Sequence, residues 1–568
     1  MKLGVSLLGC VLMLIMNFAA DAQKQPADMI FIHGNIYTGA TQVRDKVTRA
    51  NPRSAEAIAI RGDRIVAVGS DREVEKFKGK QTQVFDLGGH FVMPGINDAH
   101  VHLGSAGLEK LTVNLVGAKS LDDMKSRIAS RVQSASPGEW ITGRGWDHTL
   151  WASQTLPTRQ DLDPVTQGHP AVFIRVDGHI SVVNTAALQA AGITRSTPDP
   201  AGGKIDRDAN GEATGILRET ARDLVESKIP PPSPSLRRRA AELALQDAAQ
   251  SGITSAQDYS DWEDFLTYED LENEGKLTLR ISEWLPFNQP LQLLETHRAH
   301  HSEQDPMLHT AMLKGFMDGS LGSRTAAMLQ PYSDELHNSG IPQYQQANLN
   351  QMIEPRVAAG FQIGFHAIGD GGVEMALQAF ADAERYLKER NLRPGDDLRL
   401  RVEHAQVLAP NQFGRFRDMK VIASMQPNHL LTDMNWAMSR LGPERAKYSY
   451  AWAQFLRDSV MLAFGTDYPV EPITPFRGLY AAVTRKNEAG TAEYFPQEKL
   501  TIDEAIAAYT TGSAYAQFAE KDKGLLLPGM LADFVVLDRD ITKVPPSEIL
   551  HTRVLRTVVG GKTVYQSK

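Results

Sequence analysis

The stretch Met93-Pro94-Gly95-Ile96-Asn97-Asp98-Ala99-His100-Val101-His102 closes an apolar run and ends in a His-x-His pair. In an extended strand alternate side chains share a face, so His100 and His102 present two imidazoles to one point. Imidazoles paired in this way suit a metal ion, and metal-assisted hydrolysis is the first hypothesis the chain raises. The competing reading is two histidines on a partly buried strand, since one such pair arises readily by chance among 16 His in 568 residues.

Composition bounds the answer. A chain of 568 residues is too long for one hydrophobic core, so two or three domains are expected. Hydrophobic content of 42% with 23% charged residues places it among folded soluble proteins. A net charge of -8 and the absence of any Lys/Arg-rich run argue against a nucleic-acid partner, which leaves a small-molecule substrate; a homodimer is compatible with the sequence.

The N-terminus reads as an export signal: Lys2, an apolar run from Leu3 to Ala20, then Ala20-Asp21-Ala22 before Gln23. Residues 1–22 are thus expected to be removed on the way to a bacterial periplasm, leaving no membrane attachment. An uncleaved anchor is the alternative, although the run is near the lower limit for spanning a bilayer. Leu7-Leu8-Gly9-Cys10 also resembles a lipoprotein cleavage box. Cys10 is the sole cysteine, so a chain that loses it has no thiolate ligand, and any transition-metal site must use His, carboxylates or a modified side chain.

Beyond the signal, residues 23–92 are dominated by short β-like runs such as Met29-Ile30-Phe31-Ile32 and Arg64-Ile65-Val66-Ala67-Val68, with Gly62-Asp63 and Gly88-Gly89 as turns. Residues 522–568 repeat the style, in Phe534-Val535-Val536-Leu537 and Val554-Leu555-Arg556-Thr557-Val558-Val559. One small β-sandwich built from both chain ends is expected, because isolated hairpins are marginally stable.

The middle, residues 93–521, alternates apolar strands with helical patterns, the signature of a parallel sheet in an α/β fold. Several strands run into a metal-binding type: Phe361 to Phe365 into His366, Leu398 to Glu403 into His404, and Val460 to Thr466 into Asp467. In a (β/α)8 barrel of the TIM type, reactive residues stand at the carboxyl ends of strands, and these candidates fit that rule. A further strand, Thr310 to Leu313, leads into Lys314 and then Gly315-Phe316-Met317-Asp318-Gly319-Ser320-Leu321-Gly322-Ser323-Arg324-Thr325.

The series His100/His102, Lys314, His366, His404, Asp467 resembles the metal-dependent amidohydrolase superfamily, in its amidohydrolase 3 branch of YtcJ-like proteins and N-substituted formamide deformylases. Gly143-Arg144-Gly145-Trp146-Asp147, Asp177-Gly178-His179, Gly215-Ile216-Leu217-Arg218-Glu219 and Gly252 to Asp258 match the same branch, as does Gly524 to Phe534 near the end. The resemblance implies a divalent metal, Zn2+ above all, as one ion or two. His100, His102 and Asp467 would hold the first ion and His366 and His404 the second, with Lys314 bridging them as a carbamate. An unmodified Lys314 paired with Asp318 or with a substrate carboxylate is the alternative.

A bound divalent ion acidifies its water and polarises a carbonyl, which supplies nucleophile and electrophile together. Asp467 is then the candidate to take the proton from that water and return it to the leaving nitrogen. The expected reaction is hydrolysis of a non-peptide carbon–nitrogen bond, in an amide, an N-substituted formamide or a cyclic amide. A deaminase or esterase with the same chemistry, or an exported small-molecule binding protein on an inactive barrel, are the alternatives.

Spacing locates an insertion. His102 to Lys314 is 212 residues, whereas three βα units need about 100 to 130, so a segment at about 143–230 is expected on the catalytic face. Trp146, Trp151, His179 and His429 are candidates to line the pocket, with Asp318 and Arg324 as further substrate contacts. His297, His300 and His301 have helical spacing but lie among Glu295, Arg298 and Glu303, and read as a solvated helix face. No Walker or dinucleotide-binding pattern is present, and no G-x-S-x-G elbow surrounds Ser320 or Ser323.

Overall fold

All six residues of the strand that carries His100 are buried, as expected of a parallel strand covered on both faces. A computed structural model describes residues 25–43, 46–51, 54–175, 180–200, 203–392 and 397–568. The expected signal segment lies outside the described residues. Among them no helix is long and apolar enough to cross a membrane.

Eight strands follow one another around a barrel: β1 (Ile96–Val101), β2 (Ile253–Asp258), β3 (Arg280–Pro286), β4 (Leu308–Phe316), β5 (Ile363–Ala367), β6 (Arg401–His404), β7 (Ile422–Met425) and β8 (Leu462–Phe464). Their spatial order is their chain order and all the pairings are parallel. The ring is nearly closed between β1 and the segment after β8, where the Asp467 N–H donates to His100 O at 2.8 Å and the His102 N–H to Tyr468 O at 2.8 Å. Helices return the chain between strands, among them α1 (Trp262–Asn273) after β2 and α2 (Leu291–His300) after β3. The expected (β/α)8 architecture is therefore observed.

Both chain ends build the sandwich. One sheet takes Arg64–Gly69, Ala57–Arg61, Met29–Ile32 and Gln83–Asp86; the other takes Asn35–Ile36, Phe91–Pro94, Phe534–Leu537, Val554–Val559 and Lys562–Gln566. Phe534 pairs with Pro94 and Leu537 with Phe91, so the C-terminal strand completes an N-terminal sheet. Phe31, Ile58, Ile60, Leu87, Val92, Phe534 and Val558 share one buried core, and each such side chain contributes about 1.5–3 kcal/mol.

The chain divides into two compact units, one made of the described residues up to Leu103 with Ala244–Lys568, the other of Gly104–Leu243. The second unit begins directly after β1, well before residue 143, and so contains the whole segment expected as an insertion. Its six-stranded sheet runs in the order Val113–Asn114, Ile141–Trp146, Ala171–Arg175, Ile180–Val183, Ala213–Glu219, Gly203–Arg207. The first three strands are parallel and the rest antiparallel. The last two form an antiparallel hairpin.

Candidate metal centre

Alternation along β1 puts Asp98, His100 and His102 on one face, and each has a distinct partner. The Asp98 carboxylate accepts from Thr466 N at 2.9 Å and Thr466 Oγ1 at 2.6 Å, which ties β1 to the residue before Asp467. Gly465 permits this approach: a Cβ there would stand 2.5 Å from His100 N. His404 and Asp467 both adopt the left-handed backbone, at φ +71° and +61°, a conformation that non-glycine residues hold only where the surroundings enforce it.

Three side chains from three strand ends converge. One ligand atom each of His100, His404 and Asp467 lies within 4.8 Å of the other two, and all three residues are buried. His102 Nε2 stands 3.1 Å from Asp467 Oδ1, and Lys314 Nζ 3.1 Å from His100 Nε2. His366 packs its ring against that of His404 at 4.5 Å between centroids, and its Nε2 is 3.1 Å from Gly319 O. All six expected ligands thus surround one region, although the tightest set, His100, His404 and Asp467, crosses the expected division into two groups.

Electrostatics prepare this set for a cation. Burial, then the nearby Lys314 charge, lowers His100 to about 4 and His366 to about 3, and burial with the neighbouring His366 holds His404 well below the ordinary histidine range. Neutral imidazoles are the form that binds metal. Burial would raise the Asp467 carboxyl, but the facing His100 and the contacts to His102 and His429 outweigh it and keep Asp467 ionised. Among the described residues, His404 Nδ1 and Asp467 Oδ1 are buried with no hydrogen-bond partner. Orphaned, unprotonated donor atoms that face one another fit a divalent metal better than any protein partner would.

A second layer fixes the first. Glu403 accepts from His100 Nδ1 at 2.9 Å and from Arg401 Nε at 2.8 Å, and Arg401 also donates to Ala99 O at 3.0 Å and Ser424 Oγ at 2.9 Å. Burial raises Glu403, but Arg401 and then His100 outweigh it and bring the carboxyl down to about 2. His102 Nδ1 is held at 3.0 Å from Tyr259 O, which turns Nε2 toward Asp467. These partners select the tautomers that leave the ligating nitrogens free. The sequence reading missed them, although two charged residues at i and i+2 within the buried strand β6 were a visible sign.

The centre opens into a cavity of about 390 Å³. Phe316, Leu321, Ile368, Trp436 and Val470 give it apolar walls, and Gln406, Thr432, Asp433 and Glu471 polar ones. His429 lines it too, with Nε2 3.0 Å from Asp467 Oδ2. Of the remaining expected substrate contacts, Trp146, Trp151 and Arg324 are engaged elsewhere. Trp146 is a correction: it is fully buried in the core of the second unit, and its indole N–H donates to Phe173 O at 2.9 Å. Trp151 packs in the same core and donates to Ala118 O at 2.9 Å. The Asp318 carboxylate accepts from the amides of Ala327, Ile368 and Gly369, at 2.9, 3.0 and 2.8 Å, and its Oδ1 stands 3.5 Å from His366 Nε2, so it shapes the loop after β4 beside the metal centre. Arg324 pairs with Asp334 at 3.0 Å. His179 lies outside the described residues.

Residues 83–565 match the amidohydrolase family. The chain is 32% identical over 520 residues to the putative amidohydrolase YtcJ of Bacillus subtilis, a match covering 90% of this chain and 96% of that one. It is 26% identical over 562 residues to the N-substituted formamide deformylase of Arthrobacter pascens, covering 93% and 99%. The crystal structure of an uncharacterized metal-dependent hydrolase from Pyrococcus furiosus superposes with a TM-score of 0.73 at 29% identity, covering 91% of this chain and all of that one. With its convergent histidines at the strand ends of the barrel, this chain belongs to the amidohydrolase family and is a metal-dependent hydrolase.

Proposed function

We propose that this hydrolase cleaves a non-peptide carbon–nitrogen bond, in an amide, an N-substituted formamide or a cyclic amide, and that it uses zinc. The observation that carries the reading is the placement of Asp467, which faces His100, His102 and His404 on one oxygen and His429 on the other, at the floor of the cavity. Similarity to a formamide deformylase supports the bond type, and a cavity of about 390 Å³ supports a small substrate.

His100, His102, His366, His404 and Asp467 would hold the metal, which when bound polarises the substrate carbonyl and acidifies the attacking water. Lys314 is suited to join them as a carbamate. Burial lowers its amine to about 8, which favours the neutral form that reacts with carbon dioxide, and a carbamate offers two oxygens where an ammonium would repel a cation. No carboxylate stands within ion-pairing distance of Lys314 among the described residues, and Asp318 is occupied by three backbone amides.

In the reaction, a carbon–oxygen bond forms between water and the carbonyl carbon, and the carbon–nitrogen bond breaks. Asp467 takes one proton from the water and delivers it to the leaving nitrogen, so an acid and an amine leave. His429 supports that traffic: burial lowers its pKa, but the hydrogen bond and charge of Asp467 outweigh this and raise it above the ordinary value, so the ring can carry a proton beside Oδ2. The apolar wall of Phe316, Ile368 and Trp436 receives the nitrogen substituent.

The test is a screen of N-substituted formamides, amides, hydantoins and lactones with the wild-type enzyme and Asp467→Asn. The variant is expected to retain metal and lose nearly all turnover, at least about 10³-fold. Full activity in Asp467→Asn contradicts the role of Asp467. Turnover confined to lactones contradicts the bond type, and binding without turnover across the panel favours a binding protein on the same barrel.

A further inference from the structure

The helix face at His297, His300 and His301 was expected to be solvated, yet it is partly covered and partnered. His297 stacks on Trp262 at 3.9 Å between centroids, and His300 and His301 both reach Glu269, at 3.1 and 2.9 Å. The second bond is the informative one. It engages His301 Nδ1 with a carboxylate and so turns Nε2 the other way, toward Glu272 Oε2 at 3.6 Å and Asp305 Oδ2 at 3.5 Å.

We propose that Glu272, His301 and Asp305 form a second divalent-metal site of the zinc class, separate from the catalytic centre, which clips the end of α1 to the loop between α2 and β4.

Four observations converge on it. First, one donor atom from each residue lies within 4.8 Å of the other two. The two imidazole–carboxylate separations, 3.5 and 3.6 Å, exceed a hydrogen bond. They lie close to the edge of a tetrahedron around zinc, about 3.3 Å for bonds of about 2.0 to 2.1 Å. Second, the donors are pre-oriented. Asp305 Oδ1 already accepts from Met307 N at 2.7 Å, leaving Oδ2 to face His301. The carboxylate of Glu269 behind the imidazole is the outer partner that metal-bound histidines regularly have. Third, Glu272 stands in the last turn of α1, where there is no basic residue, while the capping acids Asp261 and Asp264 lie at the favourable end. Carboxylates at a helix C-terminus are repelled by the dipole, and a bound cation removes that penalty. Fourth, the site is only partly open, since side-chain exposure is 17% for His301, 21% for Glu272 and 28% for Asp305. Three protein ligands leave a fourth position for water.

The site lies at the amino ends of β3 and β4, whereas Lys314 and His404 stand at or near the carboxyl ends of their strands. Its role is therefore to hold the base of the barrel together.

The experiment compares zinc content per chain, and the zinc dependence of thermal unfolding, in the wild-type holoenzyme, Glu272→Gln and Glu269→Gln, with Zn2+ alone as the probe. Wild type is expected to hold one equivalent more than Glu272→Gln and to gain thermal stability from added Zn2+ that Glu272→Gln does not gain. Glu269→Gln keeps all three ligands and loses only their positioning, so it tests the site even if Glu272→Gln does not fold. It should weaken zinc binding here by about 10 to 100-fold. Equal zinc content with the same zinc-dependent stabilisation in all three proteins overturns the proposal and leaves an imidazolium held among carboxylates.

Discussion

Replacing Glu403 by glutamine tests how the metal centre is held. The carboxylate bridges His100 Nδ1 and Arg401 Nε at 2.9 and 2.8 Å, and the three side chains are 0–1% exposed. Glutamine keeps the volume and offers one carbonyl oxygen to one of the two donors, so its amide N–H2 meets either a ring N–H or a guanidinium. His100 then loses its fixed tautomer, and the cost of that loss in comparable sites is about 10 to 100-fold in metal affinity, or roughly 1.4–2.7 kcal/mol. Arg401 is left as a buried charge without its counter-ion, which costs about 3–5 kcal/mol in folding. The lower end is expected, because Ala99 O and Ser424 Oγ still accept from the guanidinium. Proton competition does not explain the affinity loss: Glu403 raises the His100 pKa, so removing its charge leaves that imidazole neutral at still lower pH. The assay is a competition titration with a chromophoric chelator on folded protein, beside urea unfolding of the metal-free form. A metal affinity within twofold of wild type would refute the argument that Glu403 orients His100.

Trp146→Ala removes a fully buried indole from the second unit, far more a packing loss than a site loss. Urea unfolding should show that unit destabilised by about 3–5 kcal/mol, and a KM change with unaltered stability would restore Trp146 to the substrate site. Lys523 is buried at the barrel floor with Nζ 2.6 Å from Ser255 Oγ, and burial, then Arg280, lowers its pKa to about 7. The unfolded chain, with an ordinary lysine pKa of about 10.4, holds an extra proton between these values, so stability rises with pH from about 7 to 10, by at most about 1.4 kcal/mol per pH unit. Lys523→Met should raise the urea midpoint at pH 7 and flatten its rise toward pH 9; an unchanged slope refutes the assignment.

The order of ligand types along the chain was enough to read the barrel, because parallel strands are buried on both faces and their reactive residues cluster at one end. His100, His366, His404 and Asp467 each follow an apolar run for that reason, and Phe534 to Leu537 could be matched to the N-terminal strands by composition alone. Depth within the fold was less legible. Trp146 sits in a motif beside glycines and looked like a pocket residue, but an aromatic flanked by small residues suits a tight core equally well. Asp318 and Arg324 follow Lys314 closely in sequence, yet their partners, the amides of Ile368 and Gly369 and the carboxylate of Asp334, are set by loop geometry that no periodicity encodes. Glu403 and Arg401 were in plain sight as charges inside a buried strand. Their role depends on His100, 303 residues from Glu403, and only the closed barrel brings the two together.

The most direct test of the account is metal removal and return. Protein stripped with a chelator should stay folded and lose turnover on the formamide and amide panel, and Zn2+ should restore turnover in proportion to metal bound at His100, His404 and Asp467, with His404→Ala failing to recover. Full turnover by folded, metal-free protein would contradict the central claim that these strand-end residues act through a bound metal.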